Sequence, residues 1–478
     1  MKLFPAHCSR LLIMLLTMSG GIGSTELTAT SENDRFFQLV KEGNTSAVRV
    51  ALATNSRQAH AEEVDGMTAL HWAVHFEDVD TVTALIDAGA NPSAETRYGV
   101  TPLSLASLTG NTAILAGLLE AGADANETSR EGQTVLMTAA RSGTVTAVDT
   151  LINHGADVNA VETWRGQTAL MWSAAEQHLQ ATKALLRHGA NVTARSDGGF
   201  TSLLFAIRSG AIDVTDALLN GGANINEVDS DGHTGVVLAI LNGHYELAAF
   251  LLDAGADPNI STPGGTALHH AVRWQRYEFT DFYRPPPRQT GTLDLEGLLV
   301  RLIAAGADVN APLETRFPRA GTFDNNWGAR PLIGATPLLI AARAGDASTM
   351  LFLVAHGANP FVSTEKGVTP LMLAAGMGFT FERSIGSESE RLEAVELLWR
   401  LGANLEAVTD KGETAMHGAA RSGTTSVVQF LAHHGAAVDI ESDDGWTPLE
   451  NADGTRSHFS DRPTTAALIQ DLLDERAP

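Results

Sequence analysis

The chain has a single cysteine in 478 residues, Cys8, close to the N-terminus. A disulfide framework is therefore excluded, as are metal sites built from spaced cysteine pairs. Positive charge is also scarce: 32 Lys and Arg stand against 56 Asp and Glu, a formal net charge of -24. That balance argues against nonspecific binding to nucleic acid or to an anionic membrane, because both depend on Lys and Arg meeting phosphates. Long apolar runs are missing too. LLIMLLTM covers only residues 11–18, and no later stretch approaches the ~20 apolar residues that span a bilayer, so no membrane insertion of the mature chain is expected. No phosphate loop, nucleophile elbow or metal-spaced Cys set is present, and no cofactor is expected. What is present is apolar enough to fold: 44% of residues are hydrophobic and 18% charged, unlike a disordered chain.

The first residues read as a leader. Lys2 and Arg10 precede the short apolar run, and SGGIGST follows with small residues that allow cleavage near Gly23–Ser24. Residues 1–23 are thus expected to be a signal peptide, which implies a periplasmic or secreted protein. Cys8 lies before the apolar run rather than after it, which argues against a lipoprotein-type acylated cysteine. With the leader removed, no cysteine remains, and packing alone must hold the exported chain together.

The rest repeats itself. Gly-x-Thr occurs at Gly66, Gly99, Gly132, Gly166, Gly199, Gly232 and Gly264, in steps of 33, 33, 34, 33, 33 and 32 residues. It continues at Gly334, Gly367, Gly412 and Gly445. A second phrase, Gly-Ala-Asp/Asn, keeps the same beat from Gly89 to Gly402, with a weaker copy at Gly435. Counting compact domains by length no longer applies. Thr68, Thr101, Thr134, Thr168 and their later equivalents suit a helix N-cap, where the hydroxyl accepts from an orphan backbone N–H. Pro102, Pro337, Pro370 and Pro448 take the next position, where the missing N–H costs nothing. A short Ala-rich segment follows and closes at a Gly such as Gly110, Gly143 or Gly210. A second helix carries a Leu pair, as in ALLRHGA (184–190). Neither helix can hide its apolar stripe alone, so neighbouring copies must stack.

TALHWAV (68–74), TPLSLAS (101–107), TPLLIAA (336–342) and TPLMLAA (369–375), each followed by an LLxxGA-type ending, resemble ankyrin repeats. The resemblance covers about 32–478 and implies an all-α ankyrin-repeat solenoid of about twelve helix-turn-helix repeats with hairpin-like fingers. In this scheme a divergent N-terminal repeat spans 32–64 and a C-terminal cap spans 445–478. Fingers and first helices would line a concave face.

Three insertions break the beat, near 274–296, 311–333 and 379–391. They add 19 residues between paired helices, 18 in a finger, and 12 between paired helices again. The first and third should leave one edge of the stack and the second the opposite edge. The first insertion carries Arg276, Tyr277, Phe279, Phe282, Tyr283, Arg284 and Arg288, and the second Arg319 and Trp327. Aromatics and Arg anchor protein interfaces through rigid area and planar, multidentate hydrogen bonding. The alternative is that these side chains cover the edge of the stack. Finger tips also vary from copy to copy. Arg97 with Tyr98 and Trp164 with Arg165 are not turn formers and are candidates for direct contact.

Several motifs suggest chemistry and fail. His71 and His75 share a helix face, but Trp72 replaces the Glu of a HExxH site, and His71, like His269, takes a position where the resemblance implies structural hydrogen bonding. Asp229-Ser-Asp231-Gly232 imitates part of a calcium loop, yet Leu238 stands where the downstream acid belongs. No metal site is expected. Asn126-Glu-Thr128 and Asn191-Val-Thr193 match glycosylation acceptors, though the repeat's own Asn generates them. The sequence therefore reads as an exported, non-enzymatic scaffold binding a protein partner, with the acidic body suiting one that carries a basic patch. Two alternatives stand beside it. One is a small-ligand or enzymatic site at the insertions, using Arg276, Glu278, Asp281 and Arg383; the other is a secreted host-directed effector.

Overall fold

The computed structural model describes residues 31–274, 289–315, 332–377, 387–455 and 462–476. It divides into two compact units, Met1–Asp124 and Ala125–Pro478. Both are helical: the described residues hold paired α-helices and isolated β-bridges but no extended strand. Within each unit first helices pack on first helices of the next repeat, and second helices on second helices.

The local rules are those of caps and turns. The side chains of Thr68, Thr101, Thr134, Thr168, Thr201, Thr234, Thr369 and Thr447 each accept from the backbone N–H three residues on. The divergent first repeat substitutes Ser31, which caps Glu32–Lys41, and Asn44, which caps Thr45–Thr54. First helices end nine residues after the cap Thr. Gly110, Gly143, Gly210 and Gly423 take left-handed backbone there, at φ 74 to 79°. Among the described residues two repeats lack that glycine, and Glu77 and Gln177 are forced to φ 57° and 64°. A non-glycine residue pays about 1–2 kcal/mol for this conformation. Glu77 is exposed, and its carboxylate makes only a 3.5 Å contact with the Asn111 amide. Glu77→Gly should therefore stabilise the first unit by ~0.5–1 kcal/mol after the entropic cost of glycine. A rise in the urea midpoint is the expected readout; an unchanged or lower midpoint would reject the strain argument.

Three sets of hydrogen bonds tie repeat to repeat, the finger and histidine sets in both units and the asparagine clamps in Ala125–Pro478. Fingers are joined through the backbone, as when Arg97 N–H donates to Asp65 O at 2.8 Å and Asp197 N–H to Arg165 O at 2.8 Å. Asparagines clamp the opposite loops. The Asn126 amide donates to Gly155 O at 2.9 Å and its oxygen accepts from Asp157 N–H at 2.7 Å, and Asn259 and Asn310 do the same further on. The Asn126 amide, a glycosylation acceptor by sequence, is thus engaged in a structural clamp. Buried histidines form the third set. Thr68 N–H donates to His71 Nδ1, so the other ring nitrogen carries the proton and donates to Val100 O at 3.0 Å in the next finger. His269 reaches Ala335 O and His417 reaches Trp446 O in the same way.

The described edges of the insertions are anchored. Thr290 N–H donates to Gly243 O at 3.0 Å, and Glu246 accepts from the Thr292 and Leu293 amides ahead of the helix Leu295–Ala304. Leu313 and Ala335 pair at the base of the second insertion, Leu313 N–H donating at 2.8 Å. After the third, Ser387 caps a helix of 13 residues, Glu388–Arg400.

Candidate functional site

The candidate surface lies in the second unit and is built from the first-helix register. Residues four and seven positions after each cap Thr are three apart, so they share one helix face. In the helices Val135–Ser142, Ala169–Ala175 and Ser202–Ser209 those positions hold Arg141, Trp172, Phe205 and Arg208. The Arg141 guanidinium lies 5.5 Å from the centre of the Trp172 ring. That of Arg208 lies 4.9 and 4.8 Å from the Phe200 and Phe205 rings, which sit 5.5 Å from each other. Such cation–aromatic pairs fix the guanidinium over the ring face. Burial holds Arg208 below its ordinary value, and the charge of Arg165 acts in the same direction.

The adjoining finger presents Trp164 and Arg165. Its turn is organised by Glu162, a buried carboxylate that accepts from the backbone N–H groups of Trp164, Arg165 and Gln167. Trp164 remains 54% exposed, with the Arg165 guanidinium 4.2 Å over its ring. A buried acid thus holds an exposed aromatic–Arg pair on a fixed backbone, and little ordering remains to be done on contact with a partner.

The other sequence candidates fall elsewhere. Arg97 and Tyr98 belong to the first unit. Arg97 is exposed and donates to Val64 O at 3.0 Å in the preceding finger, while Tyr98 is 59% exposed. Arg276, Tyr277, Phe279, Phe282, Tyr283, Arg284, Arg288, Arg319 and Trp327 lie outside the described residues, as do Glu278, Asp281 and Arg383. Trp72 is buried and donates its indole N–H to Glu63 at 2.8 Å. Asp229, Asp231 and His233 place three ligand-type atoms within 4.8 Å of one another. The Asp229 carboxylate, however, accepts from the Asp231 and His233 amides at 2.9 and 2.8 Å, which is the hydrogen bonding of a finger turn.

Sequence reading missed Arg141, Phe200, Phe205 and Arg208. The signal was available, since an Arg stands seven residues after the cap Thr at Arg141, Arg208, Arg273, Arg343 and Arg421.

Comparison with known proteins agrees with this architecture. A family model of ankyrin repeats in three copies matches residues 36–129, 103–196, 136–229, 203–282 and 384–455, and a single ankyrin-repeat model matches 333–365. Over 86 residues the chain is 35% identical to a transient receptor potential cation channel subfamily A member 1 homolog of Caenorhabditis elegans, covering 17% of this chain and 7% of that protein. Over 117 residues it is 34% identical to Ankyrin repeat and SOCS box protein 16 of Mus musculus, covering 24% of this chain and 25% of that protein. The aligned part is therefore a quarter or less of either relative's length. Because repeat models match well over half of its residues, the chain belongs to the ankyrin-repeat family.

Proposed function

We propose that the protein is a non-enzymatic interaction scaffold, exported to the periplasm or beyond, that holds a protein partner on the finger and first-helix face of Ala125–Pro478. The observation that carries this reading is Trp164 with Arg165, exposed on a finger that a buried glutamate locks in place. Rigid aromatic and Arg side chains surrounded by a fixed scaffold are the composition of interface anchors. The acidic body favours a partner with basic residues around the contact, whereas the finger presents the Arg165 guanidinium at its surface. The aromatic and Arg-rich insertions add further anchors in the same reading, and the leader at 1–23 supplies the export.

The test is photo-crosslinking in cells, with benzoylphenylalanine placed at Trp164 or, for comparison, at Val300, an exposed residue of a second helix. A discrete adduct from position 164 in the periplasmic fraction, and none from position 300, is expected. Equal adducts at both positions, or none at 164, would reject the surface. An adduct confined to the cytoplasmic fraction would reject export.

A further inference from the structure

The chain builds a cation over an aromatic ring, or a first-helix arginine, in several repeats, and the copies differ in one respect. In the first unit Lys41 Nζ lies 4.2 Å from the Trp72 ring centre. Glu63 completes that copy, accepting from Lys41 at 2.7 Å and from the Trp72 indole N–H at 2.8 Å. Near the C-terminus Arg421 donates to the carboxylate of Glu413, the residue before its cap Thr414, and to the Asn451 side-chain oxygen. Each of these cations is answered by a carboxylate of its own or an adjacent repeat.

Arg141 and Arg208 are not. Trp172 follows its cap Thr168 by four residues, as Trp72 follows Thr68, but Thr163 stands where Glu63 stands relative to that cap. The Trp172 indole N–H is buried without an acceptor. The residue before the cap is Gln133 in the Arg141 repeat and Phe200 in the Arg208 repeat, not a glutamate. Among the described residues, no carboxylate comes within ion-pair distance of either guanidinium, although the neighbouring Arg187 and Arg195 each find one. In a chain with 56 acids against 32 bases, two half-buried arginines without an acid run against composition. A desolvated charge left unpaired is unfavourable, and a carboxylate from outside would relieve it.

We infer that this face takes an acidic segment of a partner protein, whose Asp or Glu carboxylates pair with Arg141 and Arg208 and whose apolar side chains lie on Trp164 and Trp172. The inference rests on the protein-binding reading above. A guanidinium held flat on a ring still offers its forked N–H edge to a carboxylate, so stacking and pairing are compatible. The acidic body makes the recognition stringent, because only a local cationic surface can hold an acidic peptide against the field of the whole chain.

The test measures fluorescence anisotropy of a labelled twelve-residue peptide of alternating Glu and Leu on the full chain. Gln/Leu and Lys/Leu peptides and a twelve-nucleotide oligothymidylate serve as competitor probes. Binding of the Glu/Leu peptide is expected, weakened at least tenfold by R141A/R208A and unchanged by R187A. Trp164→Ala, at an exposed position that leaves folding intact, should weaken it several-fold and so covers the case in which the double variant unfolds. Tighter binding of the Lys/Leu peptide, equal binding by wild type, R141A/R208A and Trp164→Ala, or no binding at all would overturn the acidic assignment. Preference for oligothymidylate would overturn it in favour of phosphate. If position 164 still crosslinks a protein while the Glu/Leu peptide fails, the scaffold reading survives and only the partner chemistry falls.

Discussion

Acidification from pH 7 toward pH 4 is expected to cost the Ala125–Pro478 unit several kcal/mol, with the loss beginning well above the range in which carboxylates titrate. Two adjacent buried histidines are responsible. Burial lowers His269 to about 4 and His270 to about 3. For His269 the neutral form is built into the hydrogen bonding: Thr266 N–H donates to Nδ1, and Nε2–H donates to Ala335 O at 3.1 Å. A second ring proton would have to displace the Thr266 N–H. His270 meets Thr262 Oγ1 at 3.1 Å, and a proton there would face His233, Arg273 and His269. In the unfolded chain both rings titrate near 6.5, so between that value and their folded values the unfolded state holds more protons. The stabilisation is complete above pH ~6.5 and is lost as pH falls through the folded values, at ~1.4 kcal/mol per pH unit per ring. That amounts to ~3 kcal/mol for His269 alone. His71, also lowered by burial, gives the first unit the same sign. Glu227, raised by burial, acts in the opposite direction, between the ordinary carboxylate value and its own raised one. Urea unfolding at pH 7.5, 6.5, 5.5 and 5.0 isolates the histidine window. His270→Leu provides the discriminating comparison, because Leu105, Leu238 and Leu373 occupy the same register in other repeats. The variant should equal or exceed wild type at pH 5 and show a shallower decline. Identical slopes for the two proteins would sink the assignment to His270.

Much of this was legible from residues alone, because the repeat fixes local chemistry. A Thr after Gly-x, a Gly closing the first helix, and a histidine three residues past the cap each act within a few residues or upon the next finger. Reading them needed only spacing. The candidate surface was harder. Trp164 and Arg165 stood out because neither is a turn former, yet what holds them is Glu162, which the sequence presents as one more finger acid. Arg141 and Arg208 fall into a regular column, and their interest lies in a missing partner. Glu63 and Glu413 show that the missing carboxylate can sit in either of two registers around the cap, so its absence becomes visible only when contacts are compared between copies. The insertions drew notice through composition, but Arg276 through Arg288 lie outside the described residues, and composition does not separate contact from cover.

Gly265→Ala should cost the second unit about 2–5 kcal/mol. The finger before Thr266 is one residue shorter than its neighbours, the 32-residue step, and it closes within four residues. Gly265 N–H donates to Thr262 O at 2.8 Å, Thr262 N–H returns to Gly265 O at 3.1 Å, and the Thr262 hydroxyl donates to the same carbonyl at 2.6 Å. That closure sets Gly265 at φ 102° and lays its Cα against His269. A Cβ there would lie 2.6 Å from Cγ and 2.8 Å from Nδ1 of the imidazole. The ring cannot retreat, since both nitrogens are engaged and the side chain is fully buried. The backbone strain contributes ~1–2 kcal/mol, and overpacking against a fixed ring ~1–3 kcal/mol. Gly255→Ala separates the two terms. It has a similar φ, 95°, with nothing within 4 Å of the added methyl, and it should cost the backbone strain alone. Urea unfolding of both variants at pH 7.5 gives the comparison. The excess for Gly265→Ala should shrink when His269 is also replaced by Ala, because removing the ring opens the space while sacrificing the bridge to Ala335. If Gly265→Ala costs no more than Gly255→Ala, the short finger is not held against His269, and the bridge from His269 to Ala335 must tolerate more movement than its hydrogen bonds imply.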